Sequence, residues 1–214
     1  MYYFLLIVTA VIAYGIGSLD TITMASLWVF KKNLRKLGRG NKFISNFWRV
    51  YKIKGVLKLL AVELVKDIVP IVIGGLLLSI KGHGDIGRIF AGFCLVLGRL
   101  WPVFYDLKGS NATLCLIVAA FFIDTSVGIA TLIVAAVIIW FVKYLSLGTL
   151  AGALIMLLTT VLTADGRLYI FLALFIFAAI LIKNIPALIR LRNGEETKLS
   201  FEQNLDYKFD QKFN

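Results

Sequence analysis

Apolar residues fill this chain in long blocks, and the polar stretches between the blocks are short. The blocks predict membrane-crossing helices, because a helix needs roughly 20 apolar residues to cross the hydrocarbon layer and fewer when it is broken or halved. On that scale spans are expected near 2–29, 55–80, 89–105, 112–123, 126–142, 147–163 and 168–189. The fourth is too short for a comfortable crossing, so five or six spans stay open beside seven. The expected architecture is an all-α polytopic membrane bundle, with residues 1–193 as one membrane domain. Residues 194–214, GEETKLSFEQNLDYKFDQKFN, form a polar tail of mixed charge, read either as a loosely ordered extension or as a docking segment.

Composition supports the same class. Of the 214 residues, 60% are hydrophobic and 16% charged, and the mean hydropathy is +0.89; a soluble domain of this size does not bury that much apolar surface. The net charge of +11 is one-sided. With an external N-terminus and seven crossings, the stretch 31–54 places Lys31, Lys32, Arg35, Lys36, Arg39, Lys42, Arg49, Lys52 and Lys54 on one side without an acid among them, whereas the cations of the other side are Lys81, Arg88 and Arg167. Such asymmetry assigns the basic side and the C-terminus to the cytoplasm of a multi-pass plasma-membrane protein. The charge is thereby a matter of orientation, and no nucleic-acid partner is expected. The first span starts at residue 2 with no basic segment before it and no small-residue cleavage pattern after it, so it is expected to be retained. Cys94 and Cys115 fall in apolar stretches without metal-ligand spacing, and His83, the one histidine, lies in the external turn KGHGDIGR. No cofactor and no metal are predicted.

Charges inside spans are costly, and they face a protein interior or a water-filled cavity. Glu63, Lys66 and Asp67 in the second span share one helical face by their three- and four-residue spacing. They are read either as an ion cluster against another helix or as the border of a polar cavity, with Asp20 as the expected partner of Lys58 or Lys66. Arg99, near the end of the third span, either snorkels to the headgroups or points into the same cavity. Pro102 ends or kinks that helix. The following DLKGSNAT carries Lys108 and Gly109, a weak phosphate-type signal.

The stretch 31–54 is richer. Gly38 and Gly40 permit close backbone approach, Asn41 and Asn46 offer amide donors, and Arg39, Lys42 and Arg49 offer charge for phosphate oxygens. Phe43, Ile44, Phe47 and Trp48 interleave with them, which also suits a surface helix that meets acidic headgroups.

These segments together resemble the bacterial acyl-phosphate-dependent glycerol-3-phosphate acyltransferases. That family opens on an apolar helix with a Tyr-x-x-Gly-Ser turn, here Tyr14, Gly17 and Ser18. Its first motif, R-K-x-G-S-G-N-x-G-A-T-N-x-x-R, is matched in LRKLGRGNKFISNFWR by Arg35, Lys36, Gly38, Gly40, Asn41, Asn46 and Arg49. Lys66 and Pro70 look like a Lys and Pro pair of its second helix. GRLWPVFYDLKGSNA resembles the second motif, G-H-x-x-P-V-F-x-x-F-K-G-G-K-G, through Gly98, Pro102, Val103, Phe104, Lys108 and Gly109. Tyr144 and Ser146 look like its short Tyr-x-Ser turn. KNIPALIRLRNGEE is similar to the third motif, which begins R-H-R-x-N-I and ends in Gly-x-Glu.

The resemblance implies acyl transfer from acyl phosphate to glycerol-3-phosphate, giving lysophosphatidic acid, at a site on the cytoplasmic side. The implied phosphate and substrate contacts are Gly38, Arg39, Gly40, Asn41, Asn46, Arg49, Lys66, Arg99, Lys108, Gly109 and Ser146. This chain departs from the pattern where the chemistry is done. The positions of the family's Ser, second Lys and His look like Arg39, Asn111 and Asn184, the motif-two His is Arg99, and Gly-Ala-Thr has become Phe43, Ile44 and Ser45. Removing one preorganised donor typically costs about 10² to 10³ in rate, so low activity is expected. The alternative is a noncatalytic relative that binds a lipid or phosphate, or scaffolds another membrane protein. A small transporter using Glu63, Lys66 and Asp67 lacks the repeated halves such a protein shows.

Overall fold

A computed structural model describes residues 1–20, 43–107, 109–164 and 166–196, with side chains from residue 53 onward in the second stretch. Seven α-helices and one short 3₁₀ turn make up the described fold. They are α1 Tyr2–Gly17, α2 Phe43–Ser79, α3 Gly84–Leu100, α4 Thr113–Ile123, α5 Thr125–Val142, α6 Leu145–Thr163 and α7 Arg167–Arg192. The 3₁₀ turn, Val103–Tyr105, follows Pro102.

Four of these elements are long and apolar enough to cross a membrane: α3 with its 3₁₀ extension, α5, α6 and α7. The 11 residues of α4 rise about 16 Å, roughly half the hydrocarbon thickness. Of the first predicted span, α1 covers Tyr2–Gly17 and ends where the Ser18 hydroxyl and amide both turn back to the Tyr14 carbonyl; Asp20 falls beyond this helix, and 21–29 lie outside the described residues. The second predicted span also changes. Its helix is already formed at Phe43 and not near 55, and it runs unbroken through Gly55 because no proline interrupts residues 43–69.

On α2 the acidic residues face inward. Leu59, Glu63, Asp67, Ile71 and Leu78 are buried at helical spacing, while Val62, Val65, Val69, Val72 and Leu76 are exposed. This is the pattern of a helix whose outer face meets lipid. The α2–α3 connection is a tight turn in which the Leu78 carbonyl accepts from the amides of Lys81 and His83, at 3.0 and 3.1 Å, with Gly82 at φ +75°. That left-handed conformation suits glycine at the end of a helix.

α3 is the hub, packed on α1, α2, α4 and α7. Leu95, Val96 and Leu100 of α3 join Leu116, Met156, Ile176 and Ile180 in one buried cluster. α1 lies backbone to backbone on α3. A side chain at Gly17 would strike the Leu95 carbonyl, and one at Gly98 would strike the Tyr14 carbonyl. The Tyr14 hydroxyl then donates to the Trp101 carbonyl at 2.7 Å, fastening the end of α1 to the end of α3. The Tyr-x-x-Gly-Ser segment is thus a packing device between two helices.

Candidate functional site

The inward charges of α2 meet Arg99 of α3. Glu63, Asp67 and Arg99 are 5%, 1% and 6% exposed, which rules out a snorkelling arginine. Arg99 Nη2 donates to Glu63 Oε1 in a buried ion pair. Lys66 Nζ lies 3.5 Å from Asp67 Oδ1 and donates at 3.1 Å to the Leu19 carbonyl, beside the Asp20 expected as its neighbour. Lys58 is exposed. Two carboxylates therefore stand with two cations, a neutral set, as burial in a low-dielectric interior requires.

A second polar group lies where α3 hands over to α4 and α5 to α6. The hydroxyls of Thr113 and Thr149 are 2.5 Å apart, Thr149 Oγ1 is 2.8 Å from the Leu145 carbonyl, and Asn111 Oδ1 lies 3.5 Å from the same hydroxyl. One turn away on α6, Ser146 Oγ is 3.5 Å from Glu196 Oε1, and Glu196 Oε2 accepts from Arg190 Nε at 2.8 Å. Glu196 is buried although it belongs to the segment read from sequence as tail.

Between these groups runs a groove of about 230 Å³, floored by α4 and walled by α2 and α5. Its polar end carries Glu63, Arg99, Ser110, Asn111 and Thr113; Leu60, Leu114, Ile117, Leu132, Ala135, Ala136, Ile139 and Leu145 complete its apolar lining. Leu132 and Ala136 are exposed, so the groove opens sideways on the lipid-facing flank. An apolar trough ending in a few convergent polar groups fits an amphiphile.

The residues predicted from sequence divide into three sets. Arg99 and Asn111 come together at the groove, and Glu63 joins them. Gly109 packs against the end of α3, where a side chain would collide with the carbonyls of Arg99 and Leu100; its glycine is required by close approach. Lys66 stays with the ion cluster, Ser146 faces Glu196, and Asn184, 5% exposed, donates its amide to the Ile180 carbonyl of its own helix at 2.8 Å. Asn46 and Arg49 lie in the first turns of α2. Gly38, Arg39, Gly40, Asn41 and Lys108 lie outside the described residues. Sequence reasoning did not single out Thr113, Thr149 or Glu196. The closing Gly-x-Glu was the available signal for Glu196, whereas threonines within apolar helices give none.

The model of the family described as glycerol-3-phosphate acyltransferase matches residues 7–194. The chain belongs to that family. Among curated members it is similar to the glycerol-3-phosphate acyltransferase of Thermoanaerobacter pseudethanolicus, at 27% identity over 194 residues covering 90% of this chain and 95% of that protein. That of Finegoldia magna is 26% identical over 200 residues, covering 93% and 98%. The fold matches crystal structures of PlsY (YgiH), an integral membrane glycerol 3-phosphate acyltransferase. Its glycerol 3-phosphate form superposes with a TM-score of 0.72 at 23% identity, over 91% of this chain and 96% of that one. Its lysophosphatidic acid form gives 0.73 at 21%, over 92% and 96%. As a glycerol-3-phosphate acyltransferase family member this is an integral membrane protein, and the groove and its polar end lie within the matched span.

Proposed function

We propose that this chain is a divergent acyltransferase of the family, in which the groove takes the hydrocarbon chain of an acyl phosphate while glycerol-3-phosphate and the donor's phosphate sit where α3 gives way to α4. The groove carries this reading: it is apolar along its length, open toward lipid, and polar only where the second-motif residues Arg99, Ser110 and Asn111 converge. In the reaction a glycerol hydroxyl oxygen bonds to the acyl carbon, the acyl carbon–oxygen bond to phosphate breaks, and the phosphate leaves with the electron pair and the hydroxyl proton. A leaving group this good needs positioning and fixed donors more than a strong base. Arg49, Asn41 and Lys108 are the phosphate contacts that the family pattern supplies. The cations of 31–54 support seven crossings with this end in the cytoplasm of a bacterial plasma membrane.

Turnover is proposed to lie far below that of a member with intact motifs, because Arg39, Asn111 and Asn184 replace the family's Ser, Lys and His. Purified protein supplied with acyl phosphate and glycerol-3-phosphate tests this by release of inorganic phosphate. Turnover in the ordinary enzyme range of about 1 to 10³ per second would overturn it. The second reading, a noncatalytic relative that binds a lipid phosphate, is favoured by Asn184, whose amide is taken up by its own helix. Ligand binding without phosphate release would select that reading.

A further inference from the structure

The groove's polar end has an unbalanced hydrogen-bond account. Arg99 uses Nη2 on Glu63, but its Nε and Nη1 are buried without a hydrogen-bond partner among the described residues, and so is Asn111 Nδ2. Among the described residues that line the groove every orphan side-chain atom is a donor, while the orphan oxygens of Asp67 lie behind the lining on the Lys66 side of the cluster. Glu63 Oε1 accepts from Arg99, and the Thr113 and Thr149 hydroxyls bond each other. Buried donors without partners are costly, and native proteins rarely leave several together.

The charge of the site narrows what fits. Arg99 is already neutralised by Glu63, and the carboxylate stays beside it, so a phosphate dianion set directly on Arg99, and not farther along the α3–α4 junction, would meet the Glu63 charge in a low-dielectric setting. A neutral oxygen with lone pairs meets no such repulsion. From the groove's shape and this account we infer that Arg99 Nε and Nη1, with Asn111 Nδ2, form a binding site for the carbonyl oxygen of a long-chain acyl group, whose hydrocarbon tail lies along Leu114, Ile117 and Leu132. The inference rests on the proposed use of the groove for the acyl donor and adds the residues that recognise it as an acyl compound. It moves Arg99 from the phosphate contacts suggested by sequence to the carbonyl. Donors fixed on a carbonyl oxygen also stabilise the charge that develops there during acyl transfer.

A matched ligand pair tests the assignment: a hydrolysis-resistant long-chain acyl phosphonate, and the alkyl phosphonate of equal length that lacks the carbonyl. Both are titrated against the full chain in detergent. The unaltered protein is expected to prefer the acyl compound by about tenfold, the ratio that one hydrogen bond to a charged group supplies. Asn111→Leu removes the donor without adding a charge, and the double change Glu63→Leu with Arg99→Leu removes the pair without stranding a charge. Each is expected to abolish the preference, read as the ratio of the two affinities within the same variant, so that a loss common to both ligands cancels. Equal binding of both ligands to the unaltered protein, or a preference that survives in both variants, would sink the carbonyl site alone. Failure of the unaltered protein to bind either ligand would sink the acyl-donor reading of the groove together with it.

Discussion

Glu63 and Arg99 stand 36 residues apart in sequence and meet in the interior of the bundle. Removing one partner of a buried ion pair leaves the other charge uncompensated, at a cost of about 3–5 kcal/mol, whereas replacing both by apolar side chains is often neutral or better. Arg99→Leu and Glu63→Leu singly are expected to lower the thermal unfolding midpoint in detergent sharply, and the double variant to recover most of the loss. A double variant as unstable as the worse single one would show that the pair contributes more than mutual neutralisation. At this scale the sequence was informative about cost and silent about pairing. Charges in an apolar run announce themselves, so Glu63, Asp67 and Arg99 stood out. The choice between Lys66 and Arg99 as the neighbour of Glu63 depends on the angle at which α3 crosses α2, and no local pattern encodes that angle. Ser146 shows the same limit: it was visible as a candidate contact, but its partner Glu196 sits in a polar stretch that reads as tail.

Between elements, contact is governed by how closely backbones approach. Gly98 lies against the Tyr14 carbonyl and the Ser18 amide, neither of which yields easily. Gly98→Ala is therefore expected to force α1 away from α3 and destabilise the protein by about 1–3 kcal/mol, the usual range for overpacking, read as a lower unfolding midpoint. The same variant lengthens the bond from Tyr14 to the Trp101 carbonyl, so Tyr14→Phe in the Gly98→Ala background is expected to add little. An unchanged midpoint for Gly98→Ala would mean that α1 is held by other contacts. Most helix limits were legible because punctuation marks them, as with Pro102 after α3 and Gly82 before it. The end of α1 was not, since the apolar run continues past Gly17 and the stop is made by Ser18 turning back on its own helix. The start of α2 was missed for the opposite reason: charge suggested a boundary near 55 that helical geometry ignores.

For the molecule as a whole, orientation is the expectation most directly open to test. In a Cys94→Ala, Cys115→Ala background, a cysteine placed at exposed Lys81 is expected to react with a membrane-impermeant maleimide in intact cells, and one placed at exposed Lys143 only after permeabilisation. The reverse labelling would invert the topology and put the groove's polar end outside. The helical membrane class was plain from hydropathy. The groove was not, because it exists only where α2 and α5, far apart in the chain, flank the short α4. Its sideways opening at Leu132 and Ala136 has an energetic corollary. A hydrocarbon tail that enters from the bilayer exchanges one apolar surrounding for another, so water expulsion supplies little drive. Occupancy then follows the mole fraction of ligand among the surrounding lipids, inert lipid dilutes it as solvent would, and discrimination among similar tails falls to the few nitrogen atoms at the closed end.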